Sequence, residues 1–184
     1  MENIATEENM AVAEHEGQQF LSFIMAEEEY GVDILSVQEI RGWEPTTAIP
    51  NAPEHVKGVI NLRGTIVPII DLRQRFGIAS LEYGPTTVVI VVKVSVESTQ
   101  KVIGIVVDAV SDVFSINHGS IRSAPDFGQE ADLRFIKGLT NVNEKMVILL
   151  DINLLLGSEV LPDAAKLSQM IETLDKAQPT EAIA

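Results

Sequence analysis

The sequence predicts a mainly β protein of two five-stranded barrels packed face to face, with short helices and a C-terminal helix. Three observations carry that expectation. Short runs rich in valine and isoleucine are interrupted roughly every eight to twelve residues by glycine, proline, asparagine or aspartate, the rhythm of strands and turns. The middle of the chain is duplicated: at an offset of 80, Lys57, Gly58, Asn61, Val67, Asp71 and Gly77 recur as Lys137, Gly138, Asn141, Val147, Asp151 and Gly157. At an offset of 73, Gly31-Val32 and Val37-Gln38-Glu39-Ile40 fall on Gly104-Ile105 and Val110-Ser111-Asp112-Val113. Finally, each repeat, roughly 20–85 and 86–157, is of a size at which one small core is barely stable, so the two should share a core, with the chain crossing between them. Closing into barrels leaves short antiparallel strands without free edges, and the groove between two barrels is the natural binding site.

Residues 1–19 hold five acidic and no basic side chains and read as a solvated leader. Strands are expected at 20–25, 30–34, 59–60, 66–71, 87–94, 102–107 and 146–151. Glu27-Glu28-Glu29 is placed in the connection between the first two, because three adjacent carboxylates resist joint desolvation. Pro68 has no N–H to give a ladder, which points to an edge strand or a bulge. Asp71 and Asp151, equivalent in the repeat, suit a turn or the cap of a short helix better than the alternative, the general base of a hydrolase. In the tail, 158–184, Ala164, Leu167, Met170, Ile171 and Leu174 recur at spacings of three and four, predicting a helix over 163–176 that Gln178-Pro179-Thr180 ends.

Composition removes whole classes of function. Against 13 basic side chains stand 27 acidic ones, a net charge of −14, which disfavours a phosphate-neutralising surface and hence nucleic acid. Without cysteine there are no disulfides, thiolate nucleophiles or cysteine metal sites. The longest strictly apolar runs, such as 88–92 and 146–150, are far shorter than the roughly 18 to 20 residues of a membrane span. The acidic N-terminus carries no secretory signal, so a cytoplasmic protein is expected. His15, His55 and His118 lack metal-ligand spacing, and there is no phosphate-cradling loop, dinucleotide fingerprint or nucleophile elbow. No catalytic residue, metal or cofactor is expected.

Two polar islands interrupt the apolar pattern. In 58–73, Asn61 and Gly64 suit a tight turn that projects Arg63, either as partner of a carboxylate that fixes the turn or as an interface anchor. In 32–43, Val37 and Ile40 should pack inward or line a groove while Glu39 and Arg41 alternate away. That pattern reads as a solvated strand or as a protein-binding rim. Trp43, ahead of Pro45, is either a barrel plug or a surface anchor.

At these residues the chain resembles a known family. Glu29-Tyr30-Gly31-Val32-Asp33-Ile34, Val37-Gln38-Glu39-Ile40-Arg41-Gly42, Lys57-Gly58-Val59-Ile60-Asn61-Leu62-Arg63-Gly64 with Pro68 and Asp71-Leu72-Arg73, and Gly104-Ile105-Val106-Val107-Asp108 resemble the CheW family of bacterial chemotaxis coupling proteins. The resemblance runs from about Gln19 to Gly157. It implies two intertwined SH3-like barrels without catalytic activity. Such a protein bridges the cytoplasmic tip of methyl-accepting chemoreceptors to the regulatory domain of the histidine kinase CheA, in membrane-bound receptor arrays. The resemblance also implies partner contacts at Val37, Glu39, Gly58, Arg63 and Val88 in or beside the first barrel, and at Val110. Arg122 and Phe127 match positions where rings close with the kinase, and other copies of the coupling protein are further candidate partners. The near alternative is a CheV-like protein with an added receiver domain, for which the stretch after Gly157 is too short.

Overall fold

The computed structural model describes residues 17–125 and 133–156. Their ten strands are β1 (Gln18–Met25), β2 (Glu28–Asp33), β3 (Val37–Gly42), β4 (Val56–Leu62), β5 (Thr65–Asp71), β6 (Val88–Val96), β7 (Thr99–Val107), β8 (Ala109–Ile116), β9 (Ile136–Val142) and β10 (Lys145–Leu150). Two one-turn helices follow β5 and β10: α1 (Leu72–Arg75) and α2 (Ile152–Leu155). The helix expected at 163–176 and the side chain of Phe127 lie outside the described residues.

Four two-residue turns join strand pairs, at Ala26-Glu27, Arg63-Gly64, Glu97-Ser98 and Asn143-Glu144, and every one of these residues has a positive φ, as type I′ hairpin turns require. The turn ahead of β2 is thus shorter than the acidic run suggested. Glu28 and Glu29 lie in β2, opposite Met25 and Ile24, where the hairpin end keeps them in contact with water. β3 falls in the island whose alternation reads as a strand, while two strands are not apparent in the sequence: β8 is an outer strand with few buried positions, and β9 mixes polar and apolar residues without a run.

The strands form two five-stranded sheets, ordered β3-β6-β7-β5-β4 and β8-β1-β2-β10-β9. The division does not fall between residues 85 and 86. Each repeat gives its first hairpin to the other repeat's sheet: β6–β7 joins β3–β5, and β1–β2 joins β8–β10. Each exchanged hairpin is held on both sides, by antiparallel pairing of β6 with β3 and β1 with β8 and by parallel pairing of β7 with β5 at Gly104↔Ile69 and of β2 with β10 at Gly31↔Leu149. Both parallel contacts use repeat-equivalent glycines. A Cβ on Gly104 would come 2.5 Å from Ile69 Cδ1, and one on Gly31 would come 2.9 Å from Leu149 Cδ2. Pro68 follows from the same geometry. β5 is an inner strand, not an edge, and proline is tolerated because pairing with β7 begins only at Ile69.

Each sheet is closed into a barrel by one bridge. Thr47 and Val59 exchange N–H···O bonds of 2.9 Å, and Arg122 and Leu139 exchange bonds of 2.8 and 2.7 Å. Gly58 and its equivalent Gly138 lie beside these bridges, and a Cβ at either would run into the carbonyl oxygen of Thr47 or Arg122. Gly58 also has φ +133°, which no other residue adopts at low cost.

The largest apolar cluster lies between the sheets rather than inside either. Leu21, Phe23, Met25 and Val32 of the second barrel meet Ile70, Ile90, Val92, Ile103 and Ile105 of the first. A column of rings, Phe23, Tyr30, Phe76 and Phe135, runs along it at centroid spacings of 5.8, 5.8 and 5.2 Å. Smaller clusters fill the barrels: Leu62, Val67, Ile69, Val89, Val91 and Val106 in the first, Phe20, Ile116, Val147 and Leu149 in the second. The shared core expected from the size of the repeats is therefore the main contact between the barrels.

Both helices start alike. Asp71 Oδ1 accepts from the N–H groups of Arg73 and Gln74, and Asp151 Oδ1 from those of Asn153 and Leu154, the capping role that explains their recurrence. From α1, Arg73 forks onto Asp108, Nε to Oδ1 at 2.8 Å and Nη2 to Oδ2 at 2.7 Å. Asp108 also binds the β1–β2 hairpin, accepting from Ala26 N–H at 2.9 Å and donating its own N–H to Ile24 O at 3.1 Å. The hydrogen bonds from Arg73 outweigh partial burial and, with that from Ala26, hold the Asp108 carboxyl below its ordinary value.

Two outcomes follow. Gly58→Ala should destabilise the protein by about 3 kcal/mol or more, read from the denaturant midpoint, because a Cβ strains the backbone and displaces the closing bridge; a change under about 1 kcal/mol would contradict that role. Asp108→Asn should cost roughly 2 to 3 kcal/mol at neutral pH. A carboxyl with a depressed folded pKa stabilises above the ordinary aspartate value of about 3.9 and loses that contribution as pH falls through the folded value. The melting-temperature gap between wild type and Asp108→Asn should accordingly narrow in acid, whereas a gap independent of pH would contradict the ion pair's contribution.

Candidate protein-docking surface

The register of β3 against β6 decides what this edge of the first barrel presents. A bulge between Val37 and Glu39 sets Val37 opposite Val92, Glu39 opposite Val91, Ile40 opposite Ile90 and Arg41 opposite Val89. Val92 and Ile90 face the shared core, and Val91 and Val89 face the barrel interior. The bulge thus puts Val37 and Ile40 on one face and Glu39 and Arg41 on the other, as the sequence suggested. Ile40 is nevertheless 47% exposed.

Val37, Val88 and Val110 are half-buried, and all three pack against the margin of the shared core. Val88 stands opposite Gly42 on β6, on the same face as Ile90 and Val92. Val110 comes from the other barrel, on β8 opposite Phe23. All three border the seam between the barrels, Val37 and Val88 from the first and Val110 from the second. Gly58 is buried at the barrel closure and has no side chain to offer a partner. Arg122 is exposed in the second barrel, its backbone paired with Leu139.

Next to the seam runs a chain of charges. Arg63 Nη2 donates to Glu39 Oε2 at 2.8 Å, Arg41 Nη1 to Glu39 Oε1 at 3.1 Å, and Arg41 Nη2 to Glu44 Oε1 at 2.8 Å. Desolvation pulls the Glu39 carboxyl up, but the hydrogen bonds from Arg63 and Arg41 outweigh it and hold the group below its ordinary value. Because β3 and β4 are the two ends of the sheet order, the Arg63–Glu39 contact spans the closure of the barrel. Asn61 Oδ1, accepting from Gly64 N–H at 2.8 Å, braces the turn, and Arg63 holds φ +50° within it with a side chain 77% exposed. The guanidinium is thus presented by the turn and braced by Glu39 more than it supports either.

Of the two readings of Trp43, the packing favours the barrel plug over the surface anchor. Trp43 is half-buried against the first barrel's core and tilts onto Tyr83 at 4.2 Å. The Tyr83 hydroxyl donates to Asp71 Oδ2 at 2.5 Å, and burial, then that hydrogen bond and charge, push its pKa well above the ordinary value. The cleft there, about 110 Å³, is lined by Asp71, Arg73, Tyr83 and Asp108, whose polar groups already bind one another. Among the described residues no group of His, Asp and Glu could hold a metal ion, and no helix is long and apolar enough to cross a membrane.

The repeat duplicates the frame but not this chemistry. The positions equivalent to Glu39, Arg41 and Arg63 are Asp112, Phe114 and Asn143. Glu44 is the member of the charge chain that the sequence did not single out; its spacing of three residues from Arg41 is the signal that was available.

Two interlocked five-stranded barrels around one shared core place the chain among small β proteins built by internal duplication. Residues 19–160 match the family described as the CheW-like domain. The chain is 49% identical over 159 residues to the chemotaxis protein CheW of Klebsiella aerogenes, covering 86% of this chain and 93% of that one. It is 37% identical to the probable chemotaxis protein CheW of Rhizobium etli over 80% of this chain and 92% of the other. Among solved structures, the scaffolding protein TtCheW from Thermoanaerobacter tengcongensis superposes with a TM-score of 0.66 at 35% identity, covering 76% of this chain and 92% of that one. The chain belongs to the CheW family, whose members are chemotaxis scaffold proteins and not enzymes.

Arg63→Asn should melt within about 3 °C of wild type, since asparagine accepts a positive φ and the lost ion pair is exposed. A fall of about 10 °C or more in thermal denaturation would make Arg63 a structural brace of the turn instead.

Proposed function

We propose that the protein is a non-enzymatic adaptor coupling methyl-accepting chemoreceptors to the histidine kinase CheA, working in the cytoplasm on membrane-bound receptor arrays. Residues 20–157 are the coupling unit, between an acidic leader and a C-terminal tail. An amphipathic helix of the receptor tip lies along the seam edged by Val37, Val88 and Val110, while Glu39 and Arg63 set its register. Gly58 acts indirectly, by letting the barrel close beside that contact. Arg122 and Phe127, on the second half, meet the kinase's homologous domain or further copies of this chain where rings close.

The observation that carries this reading is the contrast between the repeats: one backbone frame presents an Arg-Glu chain on the first barrel and Asp112, Phe114 and Asn143 at the equivalent places on the second. An adaptor between two unlike partners needs two unlike faces held in fixed relation. Kinship with chemotaxis scaffold proteins supports the same choice of partners.

The test is reconstitution. With purified kinase and receptor-containing membranes, autophosphorylation should come under attractant control only when the protein is added, and Arg63→Asn should weaken that control. Attractant control that is equal with and without the protein would rule the reading out.

A further inference from the structure

Asp108 is the single residue between β7, which belongs to the first barrel, and β8, which belongs to the second. At that crossover its carboxylate meets Arg73 of the first barrel's α1 and Ala26 N–H in the second barrel's hairpin, while its own N–H reaches Ile24 O. The Arg73 and Asp108 side chains are 13% and 23% exposed, so water screens the pair only partly. Two residues further along is Val110.

The duplication supplies an internal comparison. The equivalent of Arg73 is Asn153, on α2 of the second barrel, and its Oδ1 accepts from Ser95 N–H at 2.8 Å, in the hairpin given to the first barrel. The two helices thus make unlike contacts, one a forked ion pair to a residue at the crossover and the other one exposed neutral bond to a strand of the lent hairpin. The equivalent of Asp108 at the other crossover, from β2 to β3, is Leu35, which is 89% exposed and contributes no clamp. One crossover is pinned by charge and the other is not.

We infer that Arg73 and Asp108 are positioning residues: their clamp fixes the angle between the barrels, and with it the spacing of Val37 and Val88 from Val110 across which the receptor tip is seated. This inference rests on the coupling function proposed above. Neither residue touches the partner. A rigid seam loses no conformational freedom when occupied, whereas a seam whose halves rock about the unpinned crossover must be ordered at each binding event.

The chain has no cysteine, so spin labels can be placed uniquely at Lys93→Cys on β6 and Ser115→Cys on β8, both exposed and on opposite barrels. Electron-electron resonance then reads the inter-barrel distance distribution, and capture of the protein by receptor-containing membranes reads binding. Asp108→Asn and Arg73→Gln should each about double the width of the distribution and weaken capture about tenfold, with the double variant no worse than either single one. Asn153→Ala should change both readouts much less. Should the charge-removing variants melt below the assay temperature, Arg73→Lys, which keeps the charge but not the fork, should give the same two changes at smaller size. Unchanged capture, or weakened capture with an unchanged distribution, would overturn the positioning role. If the wild type itself is not captured, the coupling function fails and the inference falls with it; capture by wild type and variants alike sinks the inference alone.

Discussion

Everything in this molecule depends on the reciprocal exchange of hairpins between two repeats. Neither repeat can complete a sheet alone: the first lacks β6–β7 and the second lacks β1–β2. Because each lent hairpin is held between two host strands, the faces of the lent strands that point away from their host barrel come together and form the largest core. The barrels cannot part without opening both sheets, which is why a chain of this size builds a single rigid body from two units too small to stand comfortably alone.

That rigidity is what an adaptor needs. A surface that only holds other molecules contributes through the relation it imposes, and that relation is as good as the frame behind it. Here the frame is symmetric and the decoration is not. The same closures, caps and hairpin turns recur in both barrels, while the Arg63–Glu39–Arg41–Glu44 chain and the Arg73–Asp108 clamp occur in one copy each. Duplication supplied two equivalent platforms, and divergence of side chains at equivalent places made them chemically distinct.

Much of this was legible in the sequence because the repeat exposes it. Asp71 and Asp151 recur since both cap a helix; Gly58 and Gly138 recur since both lie under a closing bridge. The charges of the candidate site were visible as an island of alternating residues around Glu39. What could not be read was pairing at a distance. Arg73 and Asp108 lie in two separate motifs, and only the fold brings them into one fork. The exchange itself is silent as well, because a hairpin has the same pattern of valines whichever sheet it joins. The size of the shared core follows from that exchange. β8 and β9 were missed because each buries few side chains and so shows no apolar run.

The central claim is that the two barrels are one cooperative structure. Trp43, the chain's single tryptophan, packs on the first barrel, and a dye on Ser115→Cys in β8 would report the second. In urea the two signals should lose their native values together, with midpoints agreeing within about 0.2 M and equal slopes. Midpoints separated by about 1 M, with one barrel surviving the other, would contradict the account.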